Sequence, residues 1–150
     1  MQSSFELDRF VEAQCGLYVP ALAELHAGRK RSHWMWYVFP QLRGLGKSHN
    51  ALRYGISGRA EAEAYLQHPV LGARLRECVA AIAVHSTRSA VEILGTVDAL
   101  KFRSCLTLFE AVAPAPSDFG AALQQFYGGQ RCEHTLALLR AWDGTTKVDR

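Results

Sequence analysis

The sequence contains no apolar run approaching the ~18 residues that a membrane-spanning helix needs. Its first ten residues carry Glu6 and Asp8 and lack a long apolar stretch, so no signal peptide is expected and the chain reads as cytoplasmic. No CxxC pair occurs among its four cysteines, Cys15, Cys78, Cys105 and Cys132, so neither a structural zinc nor a thioredoxin-type site is signalled. In a chain of this size without a leader, two disulfides would add little, and the expectation is four small buried thiols. The six histidines show no HExxH spacing and no serine sits in a GxSxG elbow. No metal, no cofactor and no nucleophile–base–orienter set is therefore expected. Internal repeats, low-complexity tracts and linkers are missing too. That leaves one domain over residues 1–150, long enough to bury a real core.

The most informative absence is one of charge. No acidic residue lies between Glu24 and Glu61. That stretch holds Arg29, Lys30, Arg31, Arg43, Lys47, Arg53 and Arg59, together with His26, His33 and His49, while the rest of the chain is net acidic. Such asymmetry points to an anionic partner: a phosphate, a nucleotide, a nucleic acid or an acidic protein surface. The plain alternative is a solvated basic face with some internal pairing.

What is present is mostly helix. Ser3 with Glu6 fits a capping box for a first helix to about Gln14. A second runs from about Val19, with Pro20 in its first turn, to a C-terminal cap at Gly28. The aromatic run from Trp34 to Phe39 is read as a short buried helix, because no second convincing strand exists to pair with it. Gly44 and Gly46 mark a loop, and Ser48 caps a short helix to about Tyr54. Ser57 is expected to cap the next, and Pro69 to open one whose Leu71, Leu75, Cys78 and Ile82 share a face. Ser89 with Glu92 forms a capping box before Gly95. A longer helix follows, with an expected core stripe of Leu100, Cys105, Leu108, Phe109 and Val112. Ser117 caps a helix broken by Gly128 and Gly129, and a last helix runs from Glu133 to Trp142. The expected fold is all-α: a single compact domain of seven or eight short helices, with a flexible tail from about residue 143.

Three groups of residues carry possible chemistry. Gly46-Lys47-Ser48 before a helix looks like the end of a phosphate-binding loop, whose amides and lysine cradle phosphate. The first glycine of that motif would fall at position 41, which is Gln41, and no parallel sheet is signalled to mount it. A looser anion site at Lys47 and Ser48 is what survives. The second group is His33, Trp34, Trp36, Tyr37 and Gln41 beside the cations 29–31. Aromatic faces among cations can stack a base while the cations meet phosphates. At helical spacing these rings cannot all face one way, so Trp34, Met35, Val38 and Phe39 are expected in the core, with Trp36 or Tyr37 at its edge. The third group is Asp98, Lys101 and Ser104 on one helix, where Asp98 and Lys101 can pair and Lys101 flanks an apolar stripe.

The residues 28–41, with His33-Trp34-Met35-Trp36-Tyr37-Val38-Phe39-Pro40-Gln41 at their heart, and then Gly44-Leu45-Gly46-Lys47-Ser48, resemble an uncharacterised bacterial family. It is catalogued as domain-of-unknown-function family 1810 and sometimes labelled calpastatin. Residues 61–66, residues 68–72 and the segment from Asp98 through Ser104 to Phe109 fit the same family. The resemblance implies a compact, mainly helical domain and brings no activity or assigned site residues. The calpastatin label does not suit this chain: such inhibitors are long and disordered, whereas this composition is globular.

The leading functional expectation is a polar, cationic cleft for a small phosphorylated or nucleotide-like anion, with or without catalysis. His33, Trp36, Gln41, Lys47, Ser48, Lys101 and Ser104 are its expected ligand-binding residues. The rivals are a nucleic-acid-binding module using the basic 29–59 stretch, and a protein-interaction domain with no small ligand. Membrane association is not expected, and the sequence leaves the oligomeric state open.

Overall fold

The structure is a computed structural model that describes residues 5–148, with side chains through residue 142. Its ten helices run α1 (Asp8–Gln14), α2 (Tyr18–Ala27), α3 (Met35–Val38), α4 (His49–Arg53), α5 (Arg59–Gln67), α6 (Leu71–Ala83), α7 (Ala90–Leu94), α8 (Thr96–Val112), α9 (Asp118–Tyr127) and α10 (Glu133–Val148). The fold is all-α. The count exceeds the seven or eight expected because α3, α4 and α7 are single turns of four or five residues. The only strand-like pairing among the described residues is one parallel bridge, Leu42 to Ile56. None of these helices is long and apolar enough to cross a membrane. The last helix, expected to end at Trp142, continues as α10 to Val148, so residues 143–148 of the expected tail are helical backbone.

The centre of the molecule is α8. Cys105, Leu106, Leu108 and Phe109 are fully buried, and Thr107 nearly so, because α5, α7, α9 and α10 all pack against this helix. A helical segment apolar nearly all round, as residues 105–109 are, must lie inside others. The second organiser is α6, whose Leu71, Leu75, Cys78 and Ile82 form the expected buried face and meet α2, α3, α5 and α9. Two chains of aromatic contacts stitch the core. Trp34 meets Phe39, which meets Phe102 at 4.7 Å between ring centres. Phe10 meets Tyr65, Tyr65 meets Phe109, and Phe109 meets Phe119.

Several local expectations need correction. Leu100 is exposed (57%), not part of the α8 stripe. Ser57 does not cap α5; Gly58 holds that place, and the Glu61 carboxylate reaches back to accept the Ser57 amide at 2.8 Å. The first helix starts at Asp8, beyond Glu6, and Ser3 of the supposed capping box lies outside the described residues. All four cysteines are free, but only Cys78 and Cys105 are buried; Cys15 is exposed and Cys132 half-buried.

Candidate functional site

Trp34 and Trp36 part company because α3 is a single turn. Trp34, Met35, Val38 and Phe39 point into the core, leaving Trp36 and Tyr37 at its edge. Trp36 thereby becomes one wall of a cleft of about 390 Å³. The loop after α3 supplies Gln41, Leu45 and Gly46, α8 supplies Lys101, Arg103 and Ser104, and the start of α10 supplies Cys132 and His134. Val97 and Leu100, both exposed, form an apolar lip.

The cations of this cleft are held in place. The Lys101 ammonium lies 4.0 Å from the centre of the Trp36 ring, an attraction to its π face. Asp98, one turn earlier, lies 3.7 Å from Lys101 and 2.9 Å from Lys30, so a single carboxylate ties the basic 29–31 segment to α8. Lys101 therefore does pair with Asp98, as their spacing suggests. Arg103 packs its guanidinium 5.8 Å from the Tyr127 ring, yet its buried Nε has no hydrogen-bond acceptor among the described residues. A buried donor of that kind is costly unless a partner arrives.

Where α8 meets α10, polar groups replace apolar packing. The Thr107 hydroxyl donates to the Arg103 carbonyl at 2.8 Å and accepts the Cys132 amide at 2.9 Å. The Ser104 hydroxyl has two acceptors for its one proton, the Leu100 carbonyl at 3.2 Å and the Cys132 sulfur at 3.3 Å. Cys132 immediately precedes α10, so the amides of His134 and Thr135 also reach its sulfur. Burial alone would raise this thiol's pKa; the donors of Ser104, of Thr135 and of the two amides outweigh it and hold the thiol below its ordinary range. Burial pushes Cys78 the other way, to about 12, and Cys105 well up.

Of the seven residues expected to bind a ligand, Trp36, Gln41, Lys101 and Ser104 line this one cleft. His33, Lys47 and Ser48 do not. His33 and Lys47 are exposed, and the Ser48 hydroxyl is engaged in capping α4 through the Ala51 amide at 3.1 Å. Arg103, Cys132 and His134 were not among the expected residues. The available signal was positional: a cysteine between the Gly128-Gly129 break and the start of a helix occupies a cap.

A second hollow of about 630 Å³ adjoins the first and shares Arg103, Cys132 and His134 with it. A third, of about 490 Å³, is lined by Arg9, Arg43, His49, Arg53 and Glu61. Its central cation is already spent on the fold: Arg9 lies 2.9 Å from Glu61 and donates to the carbonyls of Phe5, Arg53 and Gly55.

Residues 4–139 match the model of a family described as "Protein of unknown function (DUF1810)". The chain belongs to this family. Among solved structures, the DUF1810 chain is similar to the conserved hypothetical protein Rv1873 from Mycobacterium tuberculosis, at 52% identity and a TM-score of 0.90, over 92% of this chain and 99% of that one. No curated protein matches it. The family read from residues 28–41 and 98–109 is thus the family shown, and the helical domain it implied is the fold observed.

Proposed function

We propose that this DUF1810 chain binds a small phosphorylated or nucleotide-like anion in the cleft between α3, α8 and α10. The observation that carries this reading is the Lys101 ammonium seated over Trp36 in a cleft that also holds Gln41, Arg103 and Ser104. An indole face offers a stacking platform for a planar base. Two cations beside it offer charge-assisted hydrogen bonds to phosphate oxygens. Gln41 and Ser104 supply the neutral donors and acceptors that fix orientation in such pockets. The buried Nε of Arg103 has no acceptor among the described residues, and an anion in the cleft would supply one.

Thermal unfolding against nucleoside monophosphates, dinucleotides and sugar phosphates tests the reading. A ligand present at about 100 times its Kd adds roughly 2.7 kcal/mol, which raises the Tm of a domain this size by several degrees. Trp36→Ala should lose the response to base-containing ligands, and Lys101→Ala the response to all the phosphates. A wild-type Tm that no member of the panel moves would discard the proposal.

A further inference from the structure

We propose that Cys132 is a nucleophilic thiolate, and that the cleft presents it to small anionic electrophiles. The inference rests partly on the anion-binding reading, which supplies the charge of the electrophile, but the thiolate itself rests on separate observations. Cys132 is half-buried and lines both neighbouring hollows.

The first of those observations is the cap geometry. The sulfur stands at the N-terminus of the 16-residue α10, where peptide dipoles and unpaired amides favour negative charge. Cysteines so placed are the ones whose thiolate persists at neutral pH. The Ser104 hydroxyl reaches the sulfur from another helix, α8. Thr135, in the first turn of α10, is fully buried, and its hydroxyl has no hydrogen-bond partner among the described residues. A thiolate is a stronger acceptor than a thiol, so ionisation of Cys132 would offer that hydroxyl a partner.

The second observation points outward, to a ligand. Arg103 lines both hollows, and its buried Nε has no acceptor among the described residues. An anionic group on the electrophile would supply that acceptor beside the reacting sulfur. The charged groups around Cys132 are Lys101 and Arg103 from α8, Arg131 from the preceding loop, and Glu133 and His134 from α10. Arg131 is neutralised by a two-pronged pair with Glu110 at 2.5 and 2.6 Å, whereas Lys101 only shares the Asp98 carboxylate, at 3.7 Å, with the closer Lys30; Lys101 and Arg103 thus keep charge for a ligand.

The step is a displacement. A sulfur lone pair forms an S–C bond as the bond from carbon to its leaving group breaks. The leaving group departs with the electron pair of the broken bond, so nothing is oxidised or reduced and no proton need move. Iodoacetate and iodoacetamide are suitable probes, because they differ chiefly in charge and both release iodide. The folded protein provides its own controls, with Cys15 exposed and Cys78 and Cys105 buried.

Alkylation at pH 7, followed residue by residue by peptide mass spectrometry, should label Cys132 roughly tenfold faster than Cys15 with iodoacetamide. The iodoacetate-to-iodoacetamide rate ratio should be higher at Cys132 than at Cys15, and Lys101→Ala should lower it toward the Cys15 value. Ser104→Ala should move the pH midpoint of Cys132 alkylation upward. Cys132→Ser, which keeps a good cap, should fold normally and lose the fast label. If Cys132 reacts no faster than Cys15, the thiolate proposal is overturned, whatever the ligand panel shows. If it reacts fast with no preference for iodoacetate, the thiolate stands and the anionic electrophile is ruled out.

Discussion

At the scale of single residues, Glu24 does more than any other side chain to organise the basic stretch that follows it. Its carboxylate accepts the Arg31 amide at 2.8 Å, the Ser32 amide at 3.0 Å, the Ser32 hydroxyl at 2.6 Å and the Trp34 indole at 2.9 Å. Burial acts to raise its pKa; the Ser32 hydroxyl, the two amides and the indole outweigh that and lower it from 4.5 to about 2. The sign follows. Because the folded value lies below the unfolded one, the carboxylate's contribution is complete above about pH 4.5 and fades as the pH falls toward 2. Glu24→Gln should therefore lower stability at pH 7 by roughly 1–3 kcal/mol and remove this part of the decline between those two pH values. Urea unfolding across that range checks it, and an unchanged pH slope would contradict the assignment. The sequence marks Glu24 as the last carboxylate before a long stretch without any. It does not reveal that the chain turns at Gly28 and brings the basic segment back onto it.

At the scale of elements, the ends of helices were the most legible feature. Ser48, Ser117 and the Ser89–Glu92 box all cap as expected, and Gly28 and Gly128 close α2 and α9 with left-handed φ values of 77° and 61°. Capping is a local matter, settled within four residues, so sequence can report it. The errors came where a neighbour intervened or a period was misjudged. Leu100 and Cys105 are five residues apart, a rotation that leaves them about 140° from each other, so both cannot face one core. The two cap glycines allow a paired prediction. A Cβ on Gly128 would meet nothing within 4 Å, so Gly128→Ala should cost only the backbone term, about 1 kcal/mol. At Gly28 it would lie 2.9 Å from the Arg88 guanidinium and 3.0 Å from the His85 ring. That ring is anchored on the Leu25 carbonyl at 2.7 Å, so it cannot yield freely. Gly28→Ala should cost more than Gly128→Ala in chemical denaturation, and equal costs would show that the ring does yield.

At the scale of the whole molecule, the basic stretch is tied to several different elements. Lys30 pairs with Asp98 at the start of α8, Arg43 donates to the Gly55 carbonyl, Arg53 packs on Tyr54, and Arg59 reaches the Ala111 carbonyl at the end of α8. Non-specific nucleic-acid binding needs many cations released to phosphates at once. Fluorescence anisotropy with a short DNA duplex should accordingly show no binding at about 10 µM protein in 150 mM salt. Salt-sensitive binding tighter than that would restore the nucleic-acid reading. The fold class was legible because helical periodicity recurs along the chain, whereas the cleft was legible only in part. Trp36 and Gln41, and Lys101 and Ser104, stood out as polar or amphipathic groups beside apolar runs. His33, Lys47 and Ser48 carried the same signal but precede helix starts, where side chains face outward or serve a cap. Cys132 was judged by its spacing from other cysteines, while its environment is set by Ser104 and Thr107, 28 and 25 residues away along the chain. The seat of Lys101 over Trp36 has one more implication. A planar ligand arriving at that indole meets a face already occupied by an ammonium, so its entry is an exchange: the lysine leaves the ring and turns to the newcomer's charge. Uncharged bases gain the stack but give the displaced lysine nothing in return. On the proposed reading, the cleft would therefore select for molecules that carry ring and anion together.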